Sequence, residues 1–309
     1  MLSAPFTRAQ ARASGVSDRM LQGKRFVRVL PGVWAHRDLS LTWEHRVTAA
    51  RLVLPEAARA TGITRLQMLG LDAGPRLPLH FVVQGDHHLA LPGVFLHRTR
   101  KLAPGDETGV CPAGAFLAFC ARARVVDAIR VGDWLLAAGH TTREEIVALA
   151  LAAPWRDGAH EAIWVCEHLD PRSRSLPESE LRVVLGFSGL PTPEVNPTLA
   201  LDGVTLSPDL LYREHALAVE YQGTQHQVDR SVYVADLDRL ELLRAHGFGR
   251  LEVTKERLSH ARTLVGRVHR ELVARGYTGP PPYLDGRWQR LFSRISHQVG
   301  PRRDRARSA

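Results

Sequence analysis

Residues 175–226 read SLPESELRVVLGFSGLPTPEVNPTLALDGVTLSPDLLYREHALAVEYQGTQH, and the order of elements in this stretch decides the fold of the C-terminal part. Ser175 followed by apolar positions at helical spacing predicts a helix to about Phe187, ending near Gly189. Strands follow at about Leu199–Leu201, Asp209–Tyr212 and Ala216–Tyr221, and the short connection Arg213-Glu214-His215 makes the last two an antiparallel hairpin. With the hairpin centred between Glu214 and His215, Asp209 faces Glu220. Directly opposed residues stand roughly 4.5–5.5 Å apart at Cβ, and like charges so placed on an apolar hairpin repel. A divalent cation, Mg²⁺ or Mn²⁺, is the simplest neutraliser, because such ions take one or two carboxylates and keep waters for chemistry. Gln222 shares the face of Glu220, Val219 and Tyr221 take the other face, and His226 lies just past Gly223.

Working outward, DPRSRSLP (170–177) has the composition of a linker. The predicted organisation is a basic module at 1–38, a mixed segment at 39–170, an α/β unit at 171–278 and an arginine-rich, partly disordered extension at 279–309. Within 39–170, the run 130–152 predicts two helices joined at Gly139, with Thr141 or Thr142 as cap and Glu144 and Glu145 in the first turn. Trp134, Trp155 and Trp164 are expected in the core, Asp86, His87 and His88 in a loop. Three cysteines fit neither a disulfide framework nor a CxxC metal site and are expected to be reduced core residues. MLSAPFTRAQ has no apolar h-region and the apolar run from Ile146 to Trp155 is too short for a bilayer, so a cytoplasmic protein that does not enter the membrane is expected.

The chain of 309 residues carries a net charge of +9, which favours a polyanionic partner. Seven basic residues stand within positions 1–37 against the single acid Asp18. FTRAQARASGVSDRMLQGKRFVRVLPGVWA reads as helix, turn, helix and hairpin: Thr7 and Ser17 as caps, Gly15 as the turn, then Phe26–Leu30 and Val33–Ala35 around Pro31-Gly32. That is the order of a winged helix-turn-helix. In such docking Arg19 and Gln22 face bases while Lys24, Arg25 and Arg28 meet phosphates. The pattern T-R-A-Q-A…G-V-S…L…G-K…R-V-L-P-G-V-W resembles the N-terminal winged-helix module of the abortive-infection type IV antitoxin family, which implies DNA as a partner.

Pro208-Asp209 followed by Glu220-Tyr221-Gln222 resembles the PD-(D/E)XK nuclease motif. More closely, ESELR…GLP.P…SPDLLY…AVEYQG..H…D..R…L…G, from Ser175 to Lys255 and including Asp236, Arg239, Leu243 and Gly247, is similar to bacterial domains related to the very-short-patch-repair endonuclease. The resemblance implies a restriction-endonuclease-like mixed sheet flanked by helices, so that the chain as a whole is α/β or α+β. It also implies Asp209 and Glu220 as Mg²⁺ ligands with the Tyr221 carbonyl as a third, Glu178 as the acid on the preceding helix, and His226 as a proton shuttle. Gln222 stands where the motif has lysine; it can orient a water but carries no charge. From the residues alone Glu178 is equally a capping-box partner of Ser175, Glu180 is an alternative acid, and Asp236 with Arg239 fits an ordinary i,i+3 pair. The expected function is Mg²⁺-dependent DNA cleavage, with a non-catalytic DNA-binding regulator on a decayed nuclease fold as the alternative, and homodimerisation left open.

Overall fold

The computed structural model describes residues 3–223 and 239–299 of a mixed α/β chain, which divides into two compact units, Met1–Phe119 and Cys120–Ala309. In the first, the two-residue strand β1 (Phe6–Thr7) runs into α1 (Arg8–Ala13). Thr7 caps that helix, as the sequence predicts, and Gln10 bonds back to the Thr7 N–H to complete a capping box. Gly15 supplies the left-handed turn, and Ser17 caps α2 (Asp18–Leu21). The strands β2 (Phe26–Leu30) and β3 (Val33–His36) close a hairpin around Pro31-Gly32, with β1 on the other side of β3. Phe6, Ala11, Leu21 and Phe26 form the small core beneath.

The rest of this unit contains α3 (Trp43–Arg51), β4 (Arg59–Ala60), α4 (Gly62–Met68), β5 (Leu79–Gln84), β6 (Val94–Thr99) and α5 (Pro112–Cys120). The sheet order is β4-β5-β6, with β5 and β6 parallel. Alternation along β5 buries Leu79, Phe81 and Val83 against Val47, Ala50 and Leu54. Each such apolar side chain removed from water is worth about 1.5–3 kcal/mol.

The second unit starts with α6 (Val125–Ala137), α7 (Arg143–Ala152) and α8 (Ala159–Cys166), followed by α9 (Leu176–Gly186). Gly139 lies between α6 and α7, and Thr142 with Glu145 forms the α7 capping box. Then come β7 (Glu194–Val195), β8 (Leu199–Leu201), β9 (Val204–Leu206), β10 (Leu210–Tyr212), a 3-10 turn at Arg213–His215 and β11 (Leu217–Tyr221). Beyond them lie a helix whose described part is 239–245 (α10), β12 (Gly249–Val253), α11 (Lys255–Ser259), α12 (Ala261–Ala274), α13 (Arg287–Arg290) and α14 (Ser296–Val299). The main sheet runs β12-β11-β10-β7, parallel between β11 and β12 and antiparallel elsewhere; β8 and β9 form a separate hairpin.

Three expectations are corrected. The predicted boundary at 170–177 falls inside the second unit, because Asp133 on α6, fully buried, accepts the Asp170 N–H at 2.7 Å and pairs with Arg182 of α9 at 2.7 Å. Arg130 adds a second α6–α9 bridge, to Glu180 at 2.7 Å. The extension is not loose throughout: Trp288, Leu291 and Ile295 are buried, the Trp288 indole N–H donates to the Val184 carbonyl at 3.0 Å, and residues 300–309 lie outside the described residues. Nor are the three expected tryptophans core residues, since Trp155 is exposed and Trp134 and Trp164 are half-buried. Cys120 and Cys166 are buried free thiols, Cys111 a half-buried one. No helix among the described residues is long and apolar enough to cross a membrane.

Asp133 carries a stability prediction. Replacing it with Ala takes the charge partner from the largely buried Arg182 guanidinium, which keeps only the His168 carbonyl, and strands the Asp170 N–H; a broken buried pair costs about 3–5 kcal/mol. Burial already pushes the Asp133 carboxyl upward against the pull of Arg182, so Asp133→Asn, which keeps an acceptor without the charge, costs less. Urea denaturation of the two variants gives the order; equal losses would remove the charge from the account.

Candidate functional site

The hairpin fixes the site. Leu210 pairs with Val219, Leu211 with Ala218 and Tyr212 with Leu217, the register predicted from the three-residue connection. Those six side chains are buried, and the run ends on Glu220, a carboxylate only 7% exposed in a central strand. Asp209, one residue before β10, accepts the Tyr221 N–H at 2.7 Å, while its carbonyl accepts the Asn196 N–H at 2.9 Å. Its side chain is thus held across the end of the hairpin from Glu220.

Glu178 enters from the first turn of α9. Ser175 Oγ accepts the Glu178 N–H at 3.3 Å, which is one arm of the expected capping box. The other arm is not made: the Glu178 carboxylate accepts the Arg174 N–H at 2.9 Å and the Asn196 side-chain amide at 3.0 Å. Electrostatics record the gathering of the three acids. Burial, then the charge of Glu178 and further the charge of Glu220, push the Asp209 carboxyl up to about 7, against the opposing Tyr221 N–H and Arg239. Glu180, the alternative acid, is paired with Arg130 instead.

Glu220 departs from expectation. Arg239 of α10 donates to one of its oxygens and Arg250 of β12 to the other. The parallel register sets Arg250 beside Ala218 and Glu252 beside Glu220, so a long side chain on β12 reaches diagonally to the β11 acid. The charge expected to require a metal is therefore balanced by guanidinium groups, and Arg239 spends itself on Glu220 within the sheet. Among the described residues, no three His, Cys, Asp or Glu side chains come together as a metal-holding group. The donors that remain are nonetheless all oxygen: the second oxygens of Asp209 and Glu178, and Glu220 if it gives up a guanidinium. That set suits Mg²⁺ or Mn²⁺ rather than a soft ion.

Gln222 is half-buried at the end of β11, its N–H bonded to the Val253 carbonyl at 2.9 Å. His226 and Asp236 lie outside the described residues. Sequence reasoning missed Asn196 and Arg250. Asn196 adopts a left-handed conformation, φ 44°, a region that asparagine tolerates better than most residues; that and the adjacent Pro197 were the only local signals. Arg250 gave no local signal, because its role depends on which strand lies beside β11.

In the first unit, Arg19, Gln22, Lys24, Arg25 and Arg28 are all exposed. Arg8 and Arg12 are tied to Asp18, whereas none of those four cations makes an ion pair among the described residues. Comparison with protein families, with curated proteins and with solved structures found no match.

Proposed function

We propose that the chain is a DNA-binding protein whose second unit hydrolyses DNA phosphodiesters with a divalent metal, Mg²⁺ or Mn²⁺, in the cytoplasm. The observation that carries this reading is the placement of Asp209 on the Tyr221 N–H, next to Glu220, with Asn196 tying Glu178 to the Asp209 backbone; burial and the charges of Glu178 and Glu220 push the Asp209 carboxyl up to about 7. Carboxylates crowded and buried in this way lose much of that strain when a cation enters. Asp209, Glu178, Glu220 and the Tyr221 carbonyl are the groups that would hold it. The chemistry such an ion would supply there is a more acidic water and positive charge opposite the phosphate.

The chain's own residues do the positioning. The Tyr221 N–H orients Asp209, and Asn196 with the Arg174 N–H orients Glu178. Gln222 can hold a water but cannot supply the lysine's charge. Arg239 and Arg250 are paired with Glu220, and a guanidinium released from it would take over that charge at a phosphate oxygen. In the first unit the winged-helix reading puts α2 in the major groove, Arg19 and Gln22 at base edges, and Lys24, Arg25 and Arg28 at phosphates.

A second reading, a non-catalytic DNA-binding regulator with a decayed nuclease fold, is favoured by one observation: both Glu220 oxygens already have cationic partners. Supercoiled and linear DNA incubated with the full chain, with Mg²⁺ or Mn²⁺ and then with EDTA, separates the two. Metal-dependent cutting that disappears in Asp209→Ala supports the nuclease; retardation of DNA without cutting supports the regulator. A metal titration adds a finer test. Arg239→Met removes a competitor for Glu220, so Mn²⁺ binds several-fold tighter by calorimetry, whereas a regulator takes up no Mn²⁺ in either form.

A further inference from the structure

Beside Glu178 lies a cavity of about 570 Å³, within the size range of small-molecule sites. Trp134 of α6, residues 171–175 and Asn196 line it, so it shares Arg174 and Asn196 with the hydrogen-bond shell of Glu178. Its chemistry is one-sided. Two guanidinium-bearing residues, Arg172 and Arg174, and no acid are among the lining residues. Arg172 is bound by Asp170 through two bonds of 3.0 and 2.7 Å, but Arg174 is exposed and makes no ion pair among the described residues. The Trp134 indole is half-buried and is the one aromatic side chain of the wall.

Asn196 is fixed in the wall by its neighbours. Its amide nitrogen donates to the Arg172 carbonyl at 2.8 Å and to the Glu178 carboxylate at 3.0 Å. Both partners only accept, so the orientation of the amide is fixed by its neighbours. An exposed cation without an ion-pair partner among the described residues, beside a partly open indole, gives the cavity the chemistry of a ligand with an anion and an aromatic face.

We infer that this cavity takes one nucleotide of the strand whose phosphodiester meets the Glu178–Asp209–Glu220 group. Arg174 binds that nucleotide's phosphate and Trp134 lies against its base. Base stacking on an aromatic side chain tolerates sequence. The identity of the strand rests on the nuclease reading; the nucleotide chemistry of the cavity does not.

The test uses the full chain carrying Lys24→Ala, Arg25→Ala and Arg28→Ala together, which suppresses binding through the first unit, in EDTA. The probe is a single-stranded octanucleotide with 2-aminopurine or 5-iodouracil at one position. Arg174→Ala and Trp134→Ala each weaken binding about tenfold, Trp134→Phe by less than threefold, and photo-cross-links map to α6 and to 171–175. Circular dichroism excludes misfolding of Trp134→Ala, and Arg174→Ala, an exposed change, reports independently of it. Unchanged affinity in both variants, or cross-links confined to residues 1–40, overturns the proposal. So does tighter Arg174-dependent binding of a free mononucleotide than of the octanucleotide, since that makes the cavity a site for a small metabolite. If the wild-type chain neither cuts DNA nor takes up Mn²⁺ yet Arg174-dependent strand binding persists, the nuclease reading fails and the nucleotide site stands.

Discussion

Asp209→Asn stabilises the metal-free protein at pH 8 and abolishes the metal-dependent cleavage we propose for it. The native Asp209 carboxyl is pushed up from 3.8 to about 7, chiefly by burial and then by Glu178. A raised carboxyl pKa means that folding favours the protonated form. The associated stability is complete below pH 3.8 and is lost as the pH rises through about 7. At pH 8 the wild-type chain therefore folds with an unfavourable charge that the amide lacks. Asparagine also retains an oxygen to accept the Tyr221 N–H, so the variant loses no backbone partner. With the site partly open to solvent, the gain is about 1–3 kcal/mol, several degrees in melting temperature. At pH 4 the two proteins melt together. Mg²⁺ reverses the order at pH 8, stabilising only the wild-type chain, and cleavage by the variant falls by about three orders of magnitude or more. Thermal melts at both pH values, with and without Mg²⁺, read all of this. A variant less stable than wild type at pH 8 makes Asp209 an ordinary structural acid.

The register of β10 and β11 was legible because two apolar runs separated by Arg213-Glu214-His215 leave little freedom, and a one-residue slip would turn Glu220 away from Asp209. Caps at Thr7, Ser17 and Thr142 were legible for a similar local reason. Asp202-Gly203 carried an equally local hairpin signal that went unread; both residues have positive φ, and they join β8 to β9. What the sequence hid is non-local. Segment 170–177 has linker composition, but the Asp170 N–H is fixed by a residue 37 positions earlier. Arginines around Trp288, Leu291 and Ile295 disguised an apolar face at spacings of three and four. The partners of Glu220 could not be named without knowing that β12 lies parallel to β11, and a crossover of that kind leaves no mark in any short window.

Lys24→Ala, Arg25→Ala and Arg28→Ala combined weaken binding to duplex DNA by roughly a hundredfold or more at 0.1 M salt, and by similar factors on unrelated sequences. Every phosphate that a lysine or arginine neutralises contributes about 0.9 to the slope of log K against log salt, so removing three such cations flattens it by about 3. The structure supplies an internal control. Arg8 and Arg12 belong to the same basic segment but are engaged with Asp18, and Arg12 is stabilised further in its charged form by that acid. Arg8→Ala, by the same reasoning, shifts the slope by much less than one unit. Arg19→Ala and Gln22→Ala behave differently from either set: a base reader contributes about 1–3 kcal/mol of discrimination, so its removal narrows the gap between preferred and random sites more than it lowers random binding. A fluorescence titration over a salt series with each variant distinguishes the three classes. Equal, shallow effects from all of them would make this face a solvated basic surface, and DNA affinity would then have to come from the second unit.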